Sequence, residues 1–304
     1  MSFHAGYIWP MHVNAMVIGA MKCSTTTLAD LLKAHPQVSF CAKKEPDHFS
    51  KHPDPLQGLD EYHALFPQWE GAVYMEASTS YTFHPNFKRD VWKLLHAYSP
   101  ELRFIYLVRD PVARIVSHYM HIYQRGYVDL GFEEAMLRMP LLTNVSRYHA
   151  QVLPYVEHFG REQILILEFS DLIHKQGETL ERVARHIGID PALFPTAPAK
   201  HSHKSVGEGK SHVKFDDPPA WARLLKKATP SRYREKVWRM ITQEQKRTFK
   251  EKPVMSPFWK EATLRNLEGD ILALETLMDR DLTAWWTDNG MQRPGSRQHD
   301  TRPE

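Results

Sequence analysis

Residues 17–32 read VIGAMKCSTTTLADLL. Val17 and Ile18 end an apolar run that begins at Val13, Gly19 breaks it, and a turn carrying Lys22, Ser24, Thr25 and Thr26 leads into an apolar helical pattern over 25–34. A strand that turns directly into a helix makes an anion site. The helix N-terminus offers unsatisfied N–H groups and the positive end of its dipole, and the hydroxyls and the lysine add donors aimed at the same point. The run is not a Walker A loop, which needs Gly-x-x-x-x-Gly-Lys-Ser/Thr; Lys22 follows Gly19 by three residues and no second glycine precedes it. Taken alone, the same residues read equally well as a strand-to-helix connection whose Ser and Thr cap the helix.

Outward from this stretch, short apolar runs recur at 72–75, 102–108 and 163–169, with a shorter strand at 38–40. Helical patterns alternate with them at 87–97, 112–124 and 146–159, the last containing Pro154 as a possible kink. This alternation predicts an α/β fold, a single domain over 13–288 with a central, mostly parallel sheet flanked by helices. Residues 1–12 form a lead-in. Residues 195–220, rich in His, Lys, Gly and Ser, read as a surface loop. Further helical segments follow at 221–227, 233–242 and 267–286, and the polar stretch 289–304 reads as a flexible tail.

A second anion site is legible at 102–126, LRFIYLVRDPVARIVSHYMHIYQRG. Arg109 falls at the carboxyl end of a strand, Asp110 is placed as N-cap, and Pro111 opens the helix. Ser117 follows eight residues after Arg109, about two helical turns along. The plain alternative pairs Arg109 with Asp110 and leaves Ser117 an ordinary helix residue. Read together, the two segments place anion donors at the carboxyl ends of two strands, where open α/β sheets bind ligands, and suit a ligand with two separated phosphate-like groups.

Composition narrows the partners. The chain has 304 residues, 42% hydrophobic and 25% charged, which excludes disordered and fibrous classes. Its 39 basic and 36 acidic residues leave a formal charge of +3, so no nucleic-acid partner is expected. Cys23 and Cys41 are too few for a disulfide framework. The N-terminus lacks the pattern of a secretory signal, a strand pattern begins near Val13, and no stretch reaches the roughly 18 apolar residues that cross a bilayer. The expectation is a cytoplasmic protein without a membrane span.

These motifs resemble the sulfotransferases that use 3′-phosphoadenosine 5′-phosphosulfate (PAPS), in particular the branch of heparan sulfate sulfotransferases and soluble bacterial relatives. VIGAMKCSTTTL resembles the family's 5′-phosphosulfate loop, and LVRDPVARIVSHY its 3′-phosphate motif. KKEPDHFS, YMEASTSY, QILILEFSDL and DILALETLMDRDLTAWW are similar to further family segments, so the likeness spans most of residues 13–286. Ser24 replaces the family's loop glycine. Asp47 and His48 stand beside Phe49 where relatives often carry two aromatic residues.

The resemblance implies a P-loop-like sulfotransferase fold, PAPS as co-substrate and no metal requirement. It assigns Lys22, Cys23, Ser24, Thr25, Thr26 and Thr27 to the 5′ phosphosulfate, and Arg109 and Ser117 to the 3′ phosphate. Lys22 would also meet the leaving phosphate. Glu45 is the first candidate for the general base; as an alternative it is a surface glutamate paired with Lys43 or Lys44. His48 is the second candidate, since imidazole titrates near about pH 6.5, or else a structural histidine. Asp47 and Glu76 are further carboxylates in reach of the same role. The acceptor implied is a hydroxyl or amine of a glycan, lipid or small metabolite. The lysines of 200–214 would close over the donor, meet an anionic acceptor or stay solvated. His201 and His203 lack a third ligand at metal-binding spacing. The competing readings are a nucleotide kinase with an unusual loop and a nucleotide-binding module without activity.

Overall fold

A strand covered on both faces needs apolar side chains at consecutive positions rather than alternate ones. Ala15–Gly19 is buried at every position and Arg103–Val108 at every position after Arg103. The computed structural model describes residues 12–86, 89–195, 209–212, 244–247 and 251–295, with Thr229 and Phe249. In chain order its elements are β1 (Ala15–Gly19), α1 (Thr25–Lys33), β2 (Val38–Phe40), α2 (His48–Lys51), α3 (Leu59–His63), β3 (Val73–Ala77), α4 (Val91–Tyr98), β4 (Arg103–Val108), α5 (Pro111–Gln124), α6 (Phe132–Arg138), α7 (Leu141–Asn144), α8 (Tyr148–Phe159), β5 (Ile164–Glu168), α9 (Phe169–His174), α10 (Gln176–Ile187), β6 (Gly209–His212), β7 (Glu244–Arg247), α11 (Pro257–Met278) and α12 (Ala284–Thr287).

β1 to β5 form one parallel sheet in the order β2-β3-β1-β4-β5. The expected α/β architecture is therefore present. Val17 of β1 is in register with Ala77 of β3 and Ile105 of β4, so three adjacent carboxyl ends open onto one edge. From these ends leave the Lys22 turn, the segment Ser78–Thr82 and Arg109. Helix α11 packs against both α5 and α8, and the buried faces of all three join the core.

Several sequence expectations change in detail. The helix expected over 87–97 begins at Val91, Phe87 and Lys88 lying outside the described residues. α8 runs through Pro154, which costs it one N–H without ending it. The pattern over 267–286 is two helices: α11 stops at Met278 because Asp279 turns left-handed (φ 48°), and α12 follows. Within the supposed loop 195–220, Gly209–His212 forms β6 and pairs antiparallel with β7. Its polar sequence lacks the apolar alternation by which a strand is recognised. The remainder of 195–220 apart from Phe194's successor at 195, with His201 and His203, and the helical patterns at 221–227 and 233–242, lie outside the described residues. The first part of the supposed tail is tied down: Asn289 Nδ2 donates to Asp110 Oδ2 (2.7 Å), and Arg293 pairs with Glu275 (2.8 Å).

Gly19 ends β1 where nothing larger fits. A Cβ there would strike Thr82 Oγ1 and come within 2.8 Å of the Tyr106 ring. Thr82 is itself committed, donating to the Ile18 carbonyl (2.8 Å). Gly19→Ala is expected to destabilise the protein by about 2 kcal/mol, the range for overpacking a filled core, read as a lower midpoint in chemical denaturation.

Candidate active site

The turn after β1 is anchored before it is functional. Ala20 N donates to Leu107 O of β4 (2.8 Å), which extends the sheet by one bond. Lys22 (φ 70°) and Ser24 (φ 65°) then adopt left-handed conformations. Ser24 thus accepts the strain that glycine would avoid, at a cost of order 1 kcal/mol. Its side chain makes no capping bond, and the first helical bond of α1 runs from Leu28 N to Ser24 O (3.1 Å). The N–H groups of Thr25, Thr26 and Thr27 have no acceptor among the described residues. Buried donors without acceptors at a helix start form an anion cradle. Thr25 and Thr27 are buried and Thr26 is half-buried.

Arg109 faces the same turn. Its Nη1 donates to Lys22 O (3.4 Å), its guanidinium lies 4.2 Å from the centre of the Phe169 ring, and its carbonyl accepts from Tyr148 Oη (2.8 Å). The alternative pairing of Arg109 with Asp110 does not occur. Asp110 is spent on capping α5, accepting from Ala113 N (2.5 Å) and from Asn289. Among the described residues Arg109 joins no carboxylate in an ion pair. Ser117 is buried two turns along α5, and no hydrogen bond joins it to Arg109 among those residues. Between them Arg114 is fully buried and serves the scaffold, bonding Ser146 Oγ (2.6 Å), His118 Nδ1 (3.2 Å) and Leu142 O.

Charge at this edge is one-sided. Burial lowers the Lys22 ammonium below the usual lysine range, and Arg109, Arg125, Lys44 and Arg114 push it further in the same direction. Lys252 is likewise lowered by burial and then by Arg109. Such a cluster favours an anionic ligand.

The segment carrying Glu45 is held from below. Four successive residues after β3 reach it: Ser78 Oγ accepts from Asp47 N (3.0 Å), Thr79 Oγ1 donates to Glu45 Oε1 (3.5 Å), Ser80 Oγ donates to Asp47 Oδ1 (2.5 Å), and Tyr81 Oη accepts from Phe49 N (3.4 Å). Beneath them Glu76, fully buried, accepts from Ser78 Oγ (2.6 Å), Tyr81 Oη (2.6 Å) and Tyr62 Oη (3.0 Å). Burial outweighs these three donors and raises its carboxyl to about 7. Glu45 (φ 47°) and Asp47 (φ 55°) are both left-handed.

Glu45 shares the wall of one pocket with Thr25, Thr26, Lys33, Phe40 and Lys44, so it faces the start of α1. It forms no ion pair with Lys43 or Lys44 among the described residues, and burial, then Asp47, raises its carboxyl above the usual range. A raised carboxylate in a cleft beside an anion cradle is a fit candidate for a base. His48 is engaged elsewhere: its Nε2 bonds Pro55 O (2.8 Å), its ring stacks on Tyr62 (4.5 Å), and burial lowers its pKa. That geometry favours the structural-histidine alternative. Asp47 is held by Lys51 (2.6 Å) and Ser80, and Glu76 is sealed from the cleft.

A sequence profile of the sulfotransferase family matches residues 15–192. The chain belongs to that family. Its matched segment holds the Lys22 turn, the Glu45 segment and Arg109. Curated relatives include mouse carbohydrate sulfotransferase 15, 24% identical over 262 aligned positions covering 62% of this chain and 47% of that protein. Another is mouse heparan sulfate glucosamine 3-O-sulfotransferase 3A1, 27% identical over 220 positions covering 66% and 53%. The chain thus spans about half the length of the curated relatives it matches. A crystal structure of a sulfotransferase from Alicyclobacillus acidocaldarius superposes over 90% of this chain and 99% of that one, with a TM-score of 0.64 at 23% identity. The fold is a sulfotransferase fold.

Sequence reasoning did not find Phe169, Tyr148, Lys44 or Arg125 as neighbours of the two turns. Phe169 was within reach, as the first residue after a strand whose carboxyl end lies beside Arg109; Tyr148 gave no local signal.

The raised Glu76 carboxyl has a consequence for stability. The native state holds its proton more tightly than the unfolded chain, whose carboxyl stays at the ordinary 4.5, so its contribution is full below that value and is lost as pH rises to about 7. Denaturation midpoints measured across that interval should fall for the wild type, and the fall should be shallower in Glu76→Gln, which does not titrate.

Proposed function

We propose that this protein transfers a sulfuryl group from PAPS to a hydroxyl or amine of its acceptor. The observation that carries the reading is the Arg109 to Lys22 contact, which puts two cationic, donor-rich turns side by side, while Glu45 lines a pocket with Thr25 and Thr26 at the start of the helix that follows the first turn. A donor with phosphate at each end of a nucleoside suits this arrangement: free N–H groups at the start of α1, the Lys22 ammonium, and an Arg109 unpaired with any described carboxylate. Family membership supports the same donor.

In this reading Thr25, Thr26 and Thr27, with Lys22, Cys23 and Ser24, hold the 5′ end, and Arg109 with Ser117 holds the 3′ phosphate. Glu45 takes the proton of the acceptor hydroxyl. As the new O–S bond forms, the bond from sulfur to the 5′-phosphate oxygen breaks, and its electron pair stays on that oxygen. Lys22 and the N–H groups of α1 stabilise the charge gathered there. A sulfuryl group carries less charge than a phosphoryl group, so lysine and backbone donors suffice for it. A glycan acceptor is the favoured class, supported by the names of the curated relatives, which include carbohydrate and heparan sulfate sulfotransferases.

The test is transfer of labelled sulfate from PAPS to a panel of glycans, lipids and small alcohols and amines, with magnesium-ATP as the control donor. Lys22→Ala and Glu45→Gln are each expected to lower kcat about 100-fold or more, in the range for removal of a charge-stabilising or proton-transfer group. Arg109→Ala should chiefly raise the KM for PAPS. Equal use of ATP, or full activity in Lys22→Ala, would overturn the reading.

A further inference from the structure

The two turns are joined twice. On the cleft side, Arg109 Nη1 meets Lys22 O. On the core side, Tyr148, the first residue of α8, donates its hydroxyl hydrogen to Arg109 O (2.8 Å) and lies 3.8 Å from Cys23 Sγ. A phenol has one hydrogen, so with that hydrogen on Arg109 the Cys23 thiol hydrogen faces two acceptors, the phenol oxygen and Met21 O (3.9 Å). Burial raises the thiol to about 11, which keeps it protonated. Cys23 belongs to the first turn and Arg109 to the second. The ring of Tyr148 is fixed by the edges of Trp285 (5.8 Å) and Tyr106 (6.3 Å), and the residue is fully buried.

We infer that Tyr148 is a positioning residue: its hydroxyl sets the spacing between the two anion-binding turns, so that a nucleotide carrying phosphate at both ends engages them at once. The inference rests on the donor proposed above. A ligand held at two points gains from the second only when the spacing matches. A nucleotide with one phosphate uses one turn and is indifferent to the spacing. Tyr148 therefore contributes to preference between ligands rather than to affinity for either phosphate alone.

The experiment is calorimetric titration of the full chain with adenosine 3′,5′-bisphosphate, 5′-AMP and 3′-AMP, comparing wild type, Tyr148→Phe and Cys23→Ala. Loss of one buried hydrogen bond should weaken the bisphosphate about tenfold in Tyr148→Phe. Both monophosphates should stay within roughly twofold of wild type, because each needs a single turn. Cys23→Ala, read against 3′-AMP, should shift the same preference in the same direction by less; because Cys23 lies in the turn assigned to the 5′ end, Tyr148→Leu carries the comparison should Tyr148→Phe fail to fold. A parallel loss for all three nucleotides makes Tyr148 ordinary core packing and overturns the inference, as does no change in any of them. If the wild type itself binds the bisphosphate no better than the monophosphates, the proposed donor fails and this inference falls with it.

Discussion

Positive charges gathered at one edge repel one another, and they stay gathered only if their backbone has no freedom to separate. Here that restraint is the parallel pairing of β1 with β4, prolonged past the end of β1 by the bond from Ala20 N to Leu107 O. The strands are buried on both faces, so the pairing cannot slip without exposing apolar surface. Lys22 and Arg109 inherit their closeness from it, and the Lys22 ammonium, lowered first by burial, is lowered further by Arg109.

Strain is distributed in the same way. Of the non-glycine residues with positive φ among those described, Lys22, Ser24, Glu45 and Asp47 belong to the two loops at this edge, and Asp279 alone lies elsewhere. Left-handed backbone at such residues persists where surrounding bonds over-determine it. The Glu45 segment has those bonds in the ladder from Ser78 to Tyr81, which rests in turn on Glu76. The position of the Glu45 carboxylate thus depends on a second, fully buried carboxyl.

Much of this was legible in the sequence because the signals are local. The strands announce themselves as apolar runs, Asp110 and Pro111 mark the start of α5, and the serine and threonines around Lys22 mark the cradle. The pairing of distant segments is a different matter. Cys23 and Tyr148 are 125 residues apart, and Asp47 and Ser78 are 31 apart. Such contacts follow from the order of strands in the sheet, which periodicity does not encode. His48 shows the converse: its chemistry invites a catalytic role, but Pro55 and Tyr62 occupy it. β6 escaped notice because Gly209–His212 has no apolar residue to mark a strand.

The profile match ends at residue 192, but the physical unit does not. Beyond that point Arg280 reaches back to Asp171 and to Glu168 (2.6 Å), Trp285 Nε1 donates to Glu168 (3.1 Å), and Trp286 is fully buried. Glu168 and Asp171 flank Phe169, on whose ring Arg109 rests. A fragment cut at the similarity boundary would lose both tryptophans and Arg280, leaving Glu168 without either partner and Asp171 with Arg182 alone (3.9 Å). Arg280, in the link between α11 and α12, and Trp285 of α12 thus occupy the acids at the end of the strand that pairs with Arg109's own.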